Sequence, residues 1–445
     1  MASILAMVGI TNPGLFGIAL ASLVVLFAAF RVDFAFLVVI FFFPMMPQLP
    51  IEAPIRDIGS LVRLLMFVVV LAGQLMSGES WKDWLFGKAL DRMAVLYTAV
   101  AFFSLLVSAG DSSRSVRSLF RLLSYVAFYF AISGWVRNEK QLRKALGAML
   151  LSILVIVPFG FYQALIGDFG GLYYFLYSRL EASEQPWMGR ITSVFADINP
   201  FAGYLNLLLA VSLALIAMPI GRTLKRLAVF SFLAGSAALV LTQSRGGLLA
   251  YAVTILLAIL FLARDWARRL RFLCVFLLLA GLFWPVAGAL FPRMAELDDF
   301  TVTGRGLLIL AGWNMFLSSP VLGVGYGQFS YFYDPALVGA SVGRANAHNV
   351  YVSVMAETGM AGLIAFLFLC ATAIRLSWSQ IRSPIRQVDR VVGFAALAAF
   401  SSVLVQGFSD DNLQVTQFGA VFWLILGLLI ANERLRTLRT PKLLA

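Results

Sequence analysis

Long apolar runs separated by short polar breaks recur along the whole chain. A helix needs about 20 such residues to cross a bilayer core. Runs of this character fall near residues 14–30, 34–46, 61–76, 93–109, 119–136, 145–166, 200–220, 227–242, 247–263, 272–290, 349–374, 391–408 and 415–431. The second is short and ends at Pro44 and Pro47, so it is read as broken or re-entrant. The pattern predicts an all-α polytopic membrane protein, because a helix satisfies its own backbone donors and acceptors in lipid. About 12 crossings are expected, or 13, within one integral membrane domain over 1–445. The longest hydrophilic stretch, 291–345, is expected as a loop outside the bilayer. It holds a helix-like segment from Gly304 to Leu317 and a glycine-rich turn at Gly323–Gly327. That turn lacks the spacing of a dinucleotide fingerprint and follows no strand, so no nucleotide cofactor is read from it.

Composition agrees with this class. Hydrophobic residues make up 61% and charged residues 13%, against about 25% charged in soluble domains. Mean hydropathy is +0.90. No cleavable signal is read at Met1–Ile10, which has no basic segment before an apolar run that continues to Phe30. Cys274 and Cys370 both fall inside apolar segments, so neither a disulfide framework nor a thiolate metal site is implied. With a single histidine, no zinc site is expected. The net charge of +12 would suggest nucleic acid in a soluble protein, but the basic residues lie in short loops between spans. One alternating set of loops holds 23 of the 34 Lys and Arg. By the positive-inside rule that set, and with it the C-terminus, is cytoplasmic. The loops 167–199 and 291–345 then face outward, and the side of the N-terminus depends on whether there are 12 or 13 crossings.

The single histidine, His348, stands where the long hydrophilic stretch gives way to an apolar span. Its ordinary pKa, about 6.5, suits proton transfer near neutral pH; a helix-end residue with only local hydrogen bonds is the plainer alternative. Four arginines run against the inward bias on the same face: Arg190, Arg245, Arg305 and Arg344. Each read alone is a snorkelling or solvated charge. Together they suggest a phosphate site, because the planar guanidinium fork donates bidentate, charge-assisted hydrogen bonds. Asn199 and Pro200 are expected to open an outward-pointing helix N-terminus, itself suited to an anion. Glu357 lies nine residues beyond His348, near the opposite helix face and some 13 Å along the axis. It is therefore read as a buried carboxylate paired with a basic or hydroxyl group elsewhere. Asn349 and Tyr351 are the nearer neighbours of the imidazole. Asp410, Asp411 and Asn412 are read first as a solvated turn and otherwise as orienting groups. Arg114, Arg117 and Arg121 have helical spacing and are read as contacts to acidic lipid.

Four segments carry a family resemblance: Arg190-Ile-Thr-Ser-Val-Phe-Ala-Asp-Ile-Asn-Pro200; Gln243-Ser-Arg-Gly-Gly247; Gly304-Arg-Gly306 with Trp313 and Pro320-Val-Leu-Gly-Val-Gly325; and Ala347-His-Asn-Val-Tyr351 with Glu357-Thr-Gly359. Over residues 185–365 the chain resembles the O-antigen ligase and O-antigen polymerase superfamily. The resemblance implies a membrane-embedded glycosyltransferase of the GT-C type in the bacterial inner membrane, with a periplasmic active site and no metal or nucleotide cofactor. It implies transfer of a glycan from undecaprenyl diphosphate to an acceptor hydroxyl. That hydroxyl belongs to a lipid A–core sugar in the ligases, to the growing glycan in the polymerases, and to a protein side chain in relatives. It makes His348 the general base and gives Arg190 and Arg245, assisted by Arg305, to the diphosphate; Asn349, Tyr351 and Arg344 stand behind them. Ligase-type transfer to lipid A–core is the expectation, with a polymerase or protein glycosyltransferase as the alternative. The spacing of some polymerases, arginine followed by fifteen residues and glycine, is absent at Arg190, Arg245, Arg293 and Arg305. A transporter of lipid-linked glycan is the reading from another class; few charges inside the spans and no paired broken helices speak against it.

Overall fold

A computed structural model describes residues 31–46, 58–78, 80–166, 189–195, 197–217, 221–262, 265–291, 299–333 and 346–438. Among these residues the regular structure is all helix. We number the helices α1 (Val32–Phe42), α2 (Ile58–Met76), α3 (Trp81–Phe86), α4 (Ala89–Leu106), α5 (Ser112–Trp135), α6 (Glu139–Leu151), α7 (Ile153–Ile166), α8 (Ile198–Ala217), α9 (Arg222–Thr242), α10 (Arg245–Leu262), α11 (Trp266–Leu290), α12 (Asp299–Ser318), α13 (Phe329–Phe332), α14 (Val350–Arg382), α15 (Gln387–Gln406) and α16 (Thr416–Thr437). Among the described residues, ten segments are long and apolar enough to cross a membrane, with α6 and α7 counted together. Two shorter apolar helices, Val32–Met45 and Arg245–Phe261, stand where spans 34–46 and 247–263 are expected. The multi-pass, all-α expectation is met; the span expected at 14–30 lies outside the described residues.

The helices sort by how much apolar surface they bury. α8 packs on α9, α10 and α15, and Phe201, Leu205, Leu208 and Leu209 are fully buried along it. α16 packs on α5, and α14 on α4 and α15. α11 instead leaves Leu277, Leu278, Leu279 and Leu282 exposed, as a helix bathed in lipid does. The helix expected from Gly304 to Leu317 forms α12 and packs on α14.

Charge inside the bundle is satisfied by neighbours, as the cost of burying it requires. Arg63 of α2 is fully buried. Its Nε donates to Ser124 Oγ at 3.1 Å, its Nη2 to Ser60 Oγ at 2.8 Å, and it lies 4.8 Å from the Tyr125 ring centre. At the end carrying the basic tail, Arg434 pairs with Asp91 at 3.0 Å and Arg386 with Asp389 at 2.7 Å.

Two of the sequence motifs turn out to be one structural unit. α14 breaks at Gly359, whose φ of 65° only glycine adopts without strain. The Pro320–Gly325 segment fills the break: Met360 N donates to Pro320 O at 2.9 Å, Ala361 N to Val321 O at 3.2 Å, Val324 N to Ala356 O at 3.0 Å and Gly325 N to Glu357 O at 3.1 Å. Glu357 locks the unit. Its carboxylate accepts from Phe329 N at 3.1 Å and from Gln414 Nε2 at 2.7 Å. This corrects the expected basic or hydroxyl partner: a backbone amide and a glutamine amide satisfy the carboxylate.

Candidate active site

Three connections meet at one end of the bundle, and each contains a non-glycine residue with left-handed backbone: Ser193 at φ 55°, Gln243 at 53° and His348 at 46°. Such residues cost of order 1–2 kcal/mol each, and packing must hold them there. The buried amide of Gln163 holds the first. Its Oε1 accepts from Thr192 N at 3.1 Å and Ser193 N at 2.7 Å. The second closes α9, and Ser244 then starts α10 by accepting from Gly247 N at 3.2 Å. The third precedes Asn349, which caps α14 by accepting from Tyr351 N and Val352 N, both at 3.0 Å.

His348 Nδ1 lies 3.0 Å from Asp410 Oδ1, with the ring 38% exposed and the aspartate 9%. The solvated turn expected at 410–412 is thus a buried one: Asp410, Asp411 and Asn412 are all buried. A carboxylate on Nδ1 assigns the proton to that nitrogen and makes Nε2 the basic one. The Asp410 hydrogen bond holds the imidazole above its ordinary pKa; burial and the nearby Arg305 charge oppose it. Asp197, also acting on His348, is itself raised by burial and by Asp410. Burial pushes Asp411 up to about 6.

Arg190 is placed differently from a fully available anion ligand. Its Nε donates to Thr242 O at 3.0 Å and its Nη2 to Gln243 O at 3.1 Å, so two of its five donors hold the end of α9. Its charge also acts on Asp197. Arg245 opens α10, half-buried. Its turn is tied to α8 by Ser244 Oγ donating to Asn199 Oδ1 at 2.8 Å. Arg305, half-buried on α12, is near enough to His348 to act on its protonation. Arg344 lies outside the described residues.

Several expectations are corrected. Asn199 does not cap α8: Asp197 Oδ1 accepts from Asn199 N at 2.9 Å, so an acidic side chain already sits at that N-terminus. Asn349 Nδ2 donates to Phe408 O at 3.2 Å and Tyr351 Oη to Leu404 O at 2.8 Å. Both fasten α14 to the end of α15, and neither of these bonds touches the imidazole. Arg114 donates to Ser330 Oγ, and Arg121 Nη1 to Gln414 O at 2.5 Å; these two serve the protein rather than lipid alone. Asp410 is the partner that sequence reading did not settle on, and its one signal was an acidic pair in the last outward loop.

Residues 230–367 match the family model described as O-Antigen ligase. The superfamily resemblance read from the motifs is borne out. The matched stretch contains Arg245, Arg305 and His348, while Arg190 and Asp410 lie outside it. The chain is also 22% identical over 352 residues to the teichuronic acid biosynthesis protein TuaE of Bacillus subtilis (strain 168), covering 76% of this chain and 70% of that protein. A function of the O-antigen ligase or polymerase type, in a multi-pass membrane protein, is what these relationships support.

Proposed function

We propose that this protein is an inverting, metal-independent glycosyltransferase that moves a glycan from undecaprenyl diphosphate to a sugar hydroxyl of lipid A–core at the periplasmic face of the inner membrane. The His348–Asp410 pair at 3.0 Å carries the reading. Nε2 takes the proton of the acceptor hydroxyl, that oxygen attacks the anomeric carbon, and the C–O bond to the diphosphate breaks. The diphosphate leaves with the electron pair. The imidazolium formed is stabilised by Asp410, as a carboxylate behind a catalytic histidine does. Arg245 and Arg305, together with Arg190, neutralise the charge that develops on the leaving group; fixed donors in a partly dry site do this best.

The same chemistry with a growing glycan as acceptor is the second reading, and the name of the teichuronic acid relative favours it. Purified protein is to be given undecaprenyl-diphosphate glycan with lipid A–core or with oligosaccharide acceptors. Transfer to lipid A–core, unaffected by EDTA and lost in His348→Ala, is the expected result. Transfer to the oligosaccharide alone selects the second reading, and full transfer by His348→Ala removes both.

A further inference from the structure

Asp410 uses only half of its carboxylate on the groups described. Oδ1 accepts from His348 Nδ1 at 3.0 Å and from Asp411 N at 3.0 Å. Oδ2 is buried and has no hydrogen-bond partner among the described residues. Gln406 Oε1 and Asn412 Oδ1 are buried acceptors in the same condition. The three residues are 7%, 3% and 6% exposed, respectively, and they line one cavity of about 10 Å³. The amides cannot simply be turned round. Gln406 Nε2 donates to Asn199 O at 2.9 Å and Asn412 Nδ2 to the same carbonyl at 3.3 Å. Reversing either would set oxygen against oxygen. Three residues with unsatisfied buried acceptors therefore line one cavity, and among the described residues no donor reaches those oxygens; a buried acceptor left so is costly.

The occupant must donate hydrogen bonds and be small. A hard cation gathers about six oxygens or more; here there are three, and Val350, Val403, Leu413 and Phe418 make the rest of the wall. His348, Arg190 and Arg305 also bring positive charge to this end of the bundle. A water needs two to four polar partners and a cavity of roughly this size. We propose that a single water molecule occupies the cavity, donating to Asp410 Oδ2 and to one or other of the two amide oxygens, and that Gln406 and Asn412 are thereby positioning residues for the His348–Asp410 pair. The water holds Asp410 in the rotamer that presents Oδ1 to the imidazole. Asn199 becomes the common mount. Its carbonyl carries both amides, and its side chain accepts from Ser244, beside Arg245. The base and one arginine thus hang from one residue.

The inference rests on His348 being the base, and the test separates the two. A high-resolution map of the wild-type protein should show one peak at about 2.7–3.2 Å from Asp410 Oδ2 and from at least one of the two amide oxygens. Gln406→Met and Asn412→Leu keep volume and remove the amide. Each should lower kcat about tenfold, the loss of one hydrogen bond's worth of alignment. KM for the lipid donor should not change, and the midpoint of the acidic limb of the pH–rate profile should fall, because the imidazole loses a fixed Asp410. Packing damage alone would not move that midpoint. No peak in a map that resolves other buried waters overturns the inference, as does a rate that requires sodium. Wild-type rates and profiles in both variants overturn it too, provided His348→Ala is inactive. Should either variant fail to fold, the wild-type map decides. A His348→Ala protein that still transfers glycan overturns instead the reading underneath.

Discussion

His348 and Asp410 are 62 residues apart in sequence, and their side chains meet at 3.0 Å. Asp410→Asn keeps the shape and removes the charge. The histidine loses both the orientation of Nδ1–H and the stabilisation of its imidazolium, so kcat should fall by about 10²–10⁴-fold. The sign of the pH effect follows from the base being active only when neutral. Asp410 raises the imidazole above its ordinary value of 6.5, so wild-type activity should rise with pH through a midpoint above 6.5. In Asp410→Asn the midpoint should drop. A pH–rate profile with an unmoved midpoint would mean that this carboxylate does not govern the imidazole.

Asp411 gives a prediction about stability. Burial raises its carboxyl from 3.8 to about 6, so the folded state favours the protonated form. As pH climbs from about 4 to about 6 the folded protein must charge a buried group, and stability is lost over that window. Asp411→Asn removes this penalty while keeping an oxygen for Ser353. Its melting temperature should exceed that of wild type at pH 7.5, and the two curves should converge below pH 4. A variant that is less stable at pH 7.5 would show that the Asp411 charge is compensated.

Apolar runs of bilayer length announced most of the helices, since hydropathy and length are local properties of sequence. The position of His348 at a span boundary was legible for the same reason. What joins it to Asp410 was not, because the contact depends on how α14, α15 and α16 pack, and nothing local encodes that. Asn199 reads locally as a helix cap. It loses that place to Asp197 and instead serves Ser244, Gln406 and Asn412, partners brought in from other helices. Glu357 shows the same limit: its partners, Phe329 N and Gln414, come from the start of α13 and from beyond α15.

Two glycines in the family motifs should respond oppositely to alanine. At Gly359 a Cβ would lie 2.3 Å from Val321 O, on a backbone with φ of 65°. The clash is with a backbone atom, which cannot swing aside, so Gly359→Ala should cost more than the roughly 1–2 kcal/mol of left-handed strain alone. At Gly306, inside α12, a Cβ meets nothing within 4 Å. Gly306→Ala should leave stability unchanged or raise it by about 0.5–1 kcal/mol, the helical preference for alanine. Thermal unfolding of both in detergent checks the pair. Equal destabilisation would contradict the tight seat assigned to Gly359.

Arg305 can be tested by the pH profile as well as by donor affinity. It and Arg245 are assigned to the leaving diphosphate, so Arg305→Ala and Arg245→Ala should each raise KM for the lipid donor and lower kcat. Arg305 also opposes protonation of His348 through its charge. Removing it should let the imidazolium form more readily, so the midpoint of the acidic limb should move up, opposite to the shift in Asp410→Asn. A double variant, Arg305→Ala with Asp410→Asn, should return the midpoint towards the wild-type value while activity falls further. If Arg305→Ala moves the midpoint down, its charge does not act on the base as placed here; if it leaves donor KM unchanged, Arg305 does not hold the diphosphate.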